Sequence, residues 1–116
     1  SSYLVTSEVI KFLKDYNWSK VSKDCRQLNL KARKMLLELF DGPVLCSEDS
    51  WIGQMSSIIL PRCEPLVLYK YLKSKNIEVP VIDWNDYQII RISIQAYNTL
   101  DDIELLIKYL KKYFGL

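Results

Sequence analysis

The stretch from Gln88 to Asp102, Gln-Ile-Ile-Arg-Ile-Ser-Ile-Gln-Ala-Tyr-Asn-Thr-Leu-Asp-Asp, leaves the chain the least conformational freedom. Its β-branched isoleucines crowd a short run and polar residues fall at every second position from Arg91, which predicts a strand. The period of two sorts the faces: Ile90, Ile92, Ile94 and Ala96 point one way, and Arg91, Ser93 and Gln95 the other. Tyr97-Asn98 ends the strand. Thr99 then opens a helix, because Thr99 and Asp102 have the Thr-x-x-acid spacing of a capping box. Leu100, Ile103, Leu106, Ile107, Leu110 and Phe114 form its apolar stripe, acids occupy its first turn, Lys108, Lys111 and Lys112 its last, and Gly115 closes it. A strand with one apolar face that runs into a capped amphipathic helix calls for a sheet with helices on one side.

The rest of the chain supplies the other layers. Val9, Phe12, Leu13 and Tyr16 have helical spacing, and Asn17 interrupts that helix. From Trp18 a stronger stripe runs through Val21, Cys25, Leu28, Ala32, Met35, Leu36 and Leu39, with Lys20, Lys23, Lys31 and Lys34 opposite as a solvated face. Gly42 and Pro43 are expected to stop this helix as the C′ and following residues. Val44 and Leu45 leave room for a short edge strand. Gly53 to Leu60 predicts the first firm strand, and the run Ile58-Ile59-Leu60 implies cover on both faces at its far end. Pro65 suits the first turn of a third helix with Leu68, Tyr69 and Leu72 on its stripe, and Asn76 a C′ position. Ile77, Val79 and Val81 alternate as a second strand, which Pro80 restricts to a sheet edge or a bulge. Asp83-Trp84-Asn85-Asp86 is the turn of a hairpin leading into the opening stretch. The expected fold is therefore α+β: a small antiparallel sheet of three strands, with a short fourth allowed, helices packed on one face, order α-α-β-α-β-β-α.

Length and composition bound the function. A chain of 116 residues with 49% apolar and 12% aromatic content builds one domain, residues 1–116, around one core. A formal charge of +2 is too small to argue for a nucleic-acid or membrane partner. Cys25, Cys46 and Cys63 are odd in number and widely spaced, which argues against a disulfide framework and fits a reducing, cytoplasmic setting. With no histidine, a metal site and a histidine general base are both unsupported, and the expected metal set is none. No apolar run reaches the roughly 20 residues of a membrane span, no signal-peptide pattern is present, and Ser1-Ser2 reads as a cloning remnant.

Arg91 is the principal candidate for ligand work. Its guanidinium presents donors in a rigid fork that matches a carboxylate or phosphate, and a strand holds that fork well. The plain alternative is a surface arginine paired with Glu78 or Asp83. Trp51, Trp84 and Tyr97 are candidates to line a site, although aromatic residues flanking a small sheet more often pack at a core or an edge. Ser93 has no base beside it and is not read as a nucleophile. Cys25 belongs to an apolar stripe, and Cys63 precedes a helix N-terminus, where a thiol pKa falls; inert packing is the favoured reading for each. No residue is assigned a catalytic role.

Ile90-Arg91-Ile92-Ser93, followed by Tyr97-Asn98-Thr99 and the acidic start of an apolar helix, resembles the C-terminal end of class V aminotransferase-like enzymes. These are pyridoxal-phosphate proteins of fold type I, among them the cysteine desulfurases and isopenicillin N epimerase-like proteins. Trp51 to Pro61 looks like the family's first small-domain strand and Pro65 to Val81 like its helix and second strand. The resemblance is weakest before Pro43. It implies a C-terminal small domain whose N-terminal large cofactor domain is missing, in a homodimeric parent that acts on an amino acid. It also implies that Arg91 binds the substrate α-carboxylate, that Ser93 and Gln95 line the site, and that Asn98 and Thr99 shape the strand-to-helix turn. The lysine, aspartate and aromatic residue that hold pyridoxal phosphate in such enzymes belong to the large domain. The fragment alone is thus expected to bind no cofactor and to be inactive. A desulfurase would carry a nucleophilic cysteine on an extended loop before the arginine strand; the tight turn here, with Cys63 far upstream, resembles the epimerase-like branch. The competing reading is a stand-alone α+β module that offers its open sheet face to RNA or protein, although RNA-binding sheets display stacking aromatics where this strand offers Arg91, Ser93 and Gln95.

Overall fold

The computed structural model describes residues 2–116; Ser1, half of the dipeptide read as a remnant, lies outside them. After a 3-10 turn at Ser2–Val5, the elements are α1 (Thr6–Asp15), α2 (Trp18–Leu39), β1 (Met55–Ile59), α3 (Pro65–Ser74), β2 (Val81–Trp84), β3 (Tyr87–Ser93) and α4 (Leu100–Phe114), with a further 3-10 turn at Asp49–Trp51. The expected α+β order holds. The three strands pair antiparallel in the order β1-β3-β2, so the arginine strand is central and the proline-led strand lies at an edge.

The register fixes two faces. Ser56 pairs with Ile92, and Ile58 and Val81 flank Ile90, all toward the helices. There Ile58, Ile90 and Ile92 join Leu36 of α2, Leu68 and Leu72 of α3, and Ile103, Leu106 and Leu110 of α4 in one core. Ile58, Ile59 and Leu60 are all buried, as their uninterrupted run implies. The outer face carries no helix in this chain, and on it Arg91 pairs with Ser57, Ile89 with Ile59 and Ile82, and Trp84 with Tyr87.

Several boundaries differ from the sequence reading. α2 stops at Leu39, before Gly42, because Phe40 turns extended and places its ring, 6% exposed, edge-on to Phe114 with centroids 5.4 Å apart. Val44 and Leu45 form no strand and stay exposed. Ile77 to Pro80 also lie outside the sheet ladder: Pro80 has no N–H to give, and its carbonyl accepts the Arg91 N–H at 3.1 Å just before β2 begins. The hairpin turn is only Asn85-Asp86, both at positive φ (46° and 65°), so Asp83 and Trp84 belong to the strand. Ala96 is exposed in the turn after β3 and contributes nothing to the buried face.

Asn17 and Asn76 interrupt and terminate helices at positive φ, and Gly115 closes α4 at φ 70°. α4 opens with the expected capping box, in which the Thr99 N–H donates to Asp102 Oδ2 at 3.0 Å. α1 forms, but no side chain on it is buried, and its stripe residues Val9, Phe12 and Tyr16 remain exposed. Its apolar face therefore has no counterpart in the core.

Candidate functional site

Arg91 is placed by the central strand. Paired on both sides, that backbone holds its guanidinium out from the open face with little freedom at the root. Neither acid proposed as its surface partner engages it. Glu78 accepts from the Tyr69 hydroxyl at 3.1 Å, and Asp83 accepts from Gln88 Nε2 at 3.1 Å. Among the described residues the ion pairs are Lys20–Asp24 and Arg33–Asp49, so the Arg91 fork has no carboxylate partner. An unpaired guanidinium on a rigid strand is available for an external anion.

Beside it lies an open groove of about 680 Å³ whose walls include Arg91, Ser57, Ile82, Trp84 and Ile89 of the outer face and Arg33 of α2. The opposite rim comes from the segment between α2 and β1. That segment has little regular structure of its own and is held by three side chains one and two turns apart on α2. Arg26 donates to the carbonyls of Ile52 (2.9 Å) and Asp49 (2.8 Å). Asn29, fully buried, donates to the Gly53 carbonyl at 2.8 Å and accepts from Ser56 Oγ at 2.9 Å. Arg33, 8% exposed, donates to the Cys46 carbonyl and to Asp49 Oδ1 at 3.1 Å. Sequence reading passed over this clamp. The available signal was the spacing Arg26, Asn29, Arg33, which places polar groups beside Cys25, Ala32 and Leu36 on the buried side of the helix.

The other candidates are dispersed. Ser93 continues the outer face opposite Met55, and the Gln95 amide donates to Ser93 Oγ at 3.3 Å; neither lines the groove wall. Asn98 accepts from the Gln95 N–H at 2.8 Å and donates to Asp102 at 3.3 Å, so it knits the turn into α4. Trp84 lines the groove, whereas Trp51 and Tyr97, 81% and 80% exposed, pack into neither core nor edge. Cys25 is buried in the core as its stripe implies. At Cys63 the shift agrees with the favoured inert reading and runs opposite to the fall that a helix N-terminus alone would give. Burial pushes its thiol pKa up, and Asp83 and Glu64 add to the shift, outweighing the nearby helix N-terminus. The same logic raises the Tyr113 hydroxyl, through burial first and then Cys63 and Glu64.

No lysine lines the groove, so its residues do not fit a pyridoxal-phosphate site by themselves; they fit the carboxylate of a ligand. Among the described residues no group of three or more His, Cys, Asp or Glu side chains could hold a metal ion, and no helix is long and apolar enough to cross a membrane.

No family model and no curated protein matches the chain. Its fold is similar to part of a solved structure, 8-amino-7-oxononanoate synthase from Francisella tularensis, with a TM-score of 0.64 and 20% identity. The match covers 81% of this chain and 28% of that one. At that identity the likeness speaks to fold.

Proposed function

We propose that this chain is the substrate-carboxylate-binding small domain of a fold type I pyridoxal-phosphate enzyme acting on an amino acid. The single observation that carries the reading is the unpaired Arg91 guanidinium on the central strand, facing a groove that no helix of this chain covers. The fold likeness supports it, since this chain spans about 28% of that synthase and the remainder of such an enzyme would supply the cofactor domain. The motif from Ile90 to Asp102 favours the class V, isopenicillin N epimerase-like branch, with transfer or epimerisation as the parent's chemistry. In this reading the parent is a cytoplasmic homodimer, and pyridoxal phosphate supplies the electron sink when bound to the large domain. Arg91 would bind and orient: two parallel N–H donors fix the carboxylate plane and hold the α-carbon over the cofactor. The chain on its own would bind no cofactor and turn nothing over.

In the full-length enzyme, Arg91→Ala is expected to cost about 2–5 kcal/mol in kcat/KM, with Arg91→Lys recovering part of it. Steady-state kinetics check this, and unchanged kcat/KM would remove Arg91 from the role. A second reading draws on a specific feature of the outer face, the exposed pair Trp84 and Tyr87, which gives it the stacking groups that β3 alone lacks. Saturable binding of single-stranded RNA at moderate salt, lost in Trp84→Ala, would favour that module instead.

A further inference from the structure

We infer that the groove beside Arg91 takes an amphipathic monocarboxylate, with its carboxylate on Arg91 and an apolar tail that passes the buried Ile89 to lie on Ile82 and Trp84. The inference rests on the carboxylate reading of Arg91 and adds the chemistry of the rest of the ligand. Three observations carry it. The first is charge. Of the two arginines on the groove wall, Arg33 is committed to Asp49 and the Cys46 carbonyl; Asp83 keeps its charge, but it alternates along β2 with the outer-face Ile82 and Trp84, and its carboxylate accepts from its cross-strand neighbour Gln88. One uncommitted cation selects one anionic group.

The second is lining. In the direction of β2 the outer face continues from Arg91 through Ile89 to the cross-strand neighbour Ile82 and then Trp84. Ile89, next to Arg91, is already covered at 5% exposure, but Ile82 and Trp84 beyond it stand 42% and 51% exposed, so the uncovered apolar surface of this face lies on β2. The third is size. About 680 Å³ falls within the roughly 300–1,000 Å³ usual for small-molecule sites, and the four-residue step from Arg91 to Tyr87, which faces Trp84, is on the order of 13 Å of strand. That length suits a tail of several methylenes.

The chain as it stands can be titrated with butanoate, hexanoate, octanoate and the uncharged octanamide, followed by two-dimensional amide NMR at several protein concentrations. The expected result is saturable shifts centred on β2, β3 and the Trp84 indole. Each added methylene should tighten binding by up to roughly fourfold, and octanoate should exceed octanamide at least tenfold. Arg91→Ala should erase the advantage over the amide, while Ile82→Asn should flatten the chain-length series and leave butanoate unchanged. Because both side chains are exposed, the spectra themselves report whether either variant keeps its fold, and Arg91→Lys provides a second, milder variant. If butanoate matches octanoate and both depend on Arg91, the apolar-tail inference is wrong and the carboxylate reading stands. If octanamide matches octanoate and Arg91→Ala changes nothing, the carboxylate reading fails as well. Shifts that track protein concentration in place of ligand would make this face a contact between copies and overturn the inference.

Discussion

Asn29 shows how much a single buried polar side chain decides. It sits at 0% exposure in a helix stripe that otherwise reads as apolar, and its two ends tie α2 to Gly53 and Ser56. Truncation to alanine strands the buried Ser56 hydroxyl and removes the bond to the Gly53 carbonyl, which water can reach, so Asn29→Ala should lower unfolding free energy by roughly 1–3 kcal/mol. Urea titration should show a lower midpoint at an unchanged slope; a shift within 0.5 kcal/mol, roughly the scatter of surface changes, would deny the clamp its importance. Cys63 gives a residue-level pH prediction. Its pKa is raised above the ordinary 9.0 by burial, Asp83 and Glu64, so the folded state favours the neutral thiol. That contribution to stability is complete below the ordinary value and disappears as pH rises through the raised one. Alkylation of Cys63 should therefore follow a pH profile displaced above 9.0, and Asp83→Asn should move it partway back. A profile at or below the ordinary value would contradict the assignment. The identity of these residues was plain in the sequence. Their surroundings were legible only in part: Glu64 adjoins Cys63 in the chain, but Asp83 comes from β2 and the partners of Asn29 are Gly53 and Ser56, all distant in sequence.

At the level of elements, local signals located nearly everything that local energetics control. The capping box at Thr99 and Asp102, the αL residues Asn17 and Asn76, and Gly115 each act within one turn of themselves, and each stands where its neighbours in sequence require. The misplacements came where a longer-range contact competed. α2 ends early, with Phe40 turning extended and its ring set edge-on against Phe114, a contact from the far end of the chain. The hairpin is tighter than its polar tetrapeptide suggests because pairing Trp84 with Tyr87 extends the ladder. That tight turn leaves Asp86 at φ 65°, where glycine is at ease and a β-carbon is strained. Asp86→Gly should stabilise the domain by about 0.5–1 kcal/mol, raising Tm by several degrees, while Asp86→Val should lower it. Thermal melts of the two variants test the turn assignment, which a lowered Tm for the glycine variant would refute.

At the scale of the whole molecule, the core needs α2, α3, α4 and the sheet, and it does not need α1. No α1 side chain is buried, and the molecule measures 48 Å along its long axis against about 30 Å across. Removing residues 1–16 should accordingly change unfolding free energy by less than about 1 kcal/mol, since little apolar area returns to water; a loss of several kcal/mol would mean that α1 packs in solution. The sequence by itself determined the order of elements, the antiparallel hairpin, the inner stripe of isoleucines and the outward position of Arg91, because period and capping are local properties of the chain. Only the tertiary structure decided what Arg91 has for company. Glu78 and Asp83, the acids nearest in expectation, are drawn off by Tyr69 and Gln88, and Arg33 is consumed in holding the segment before β1. Whether a guanidinium is paired or available depends on distances between strands and helices that no spacing along the chain encodes, and here those distances leave Arg91 unpaired beside an open groove.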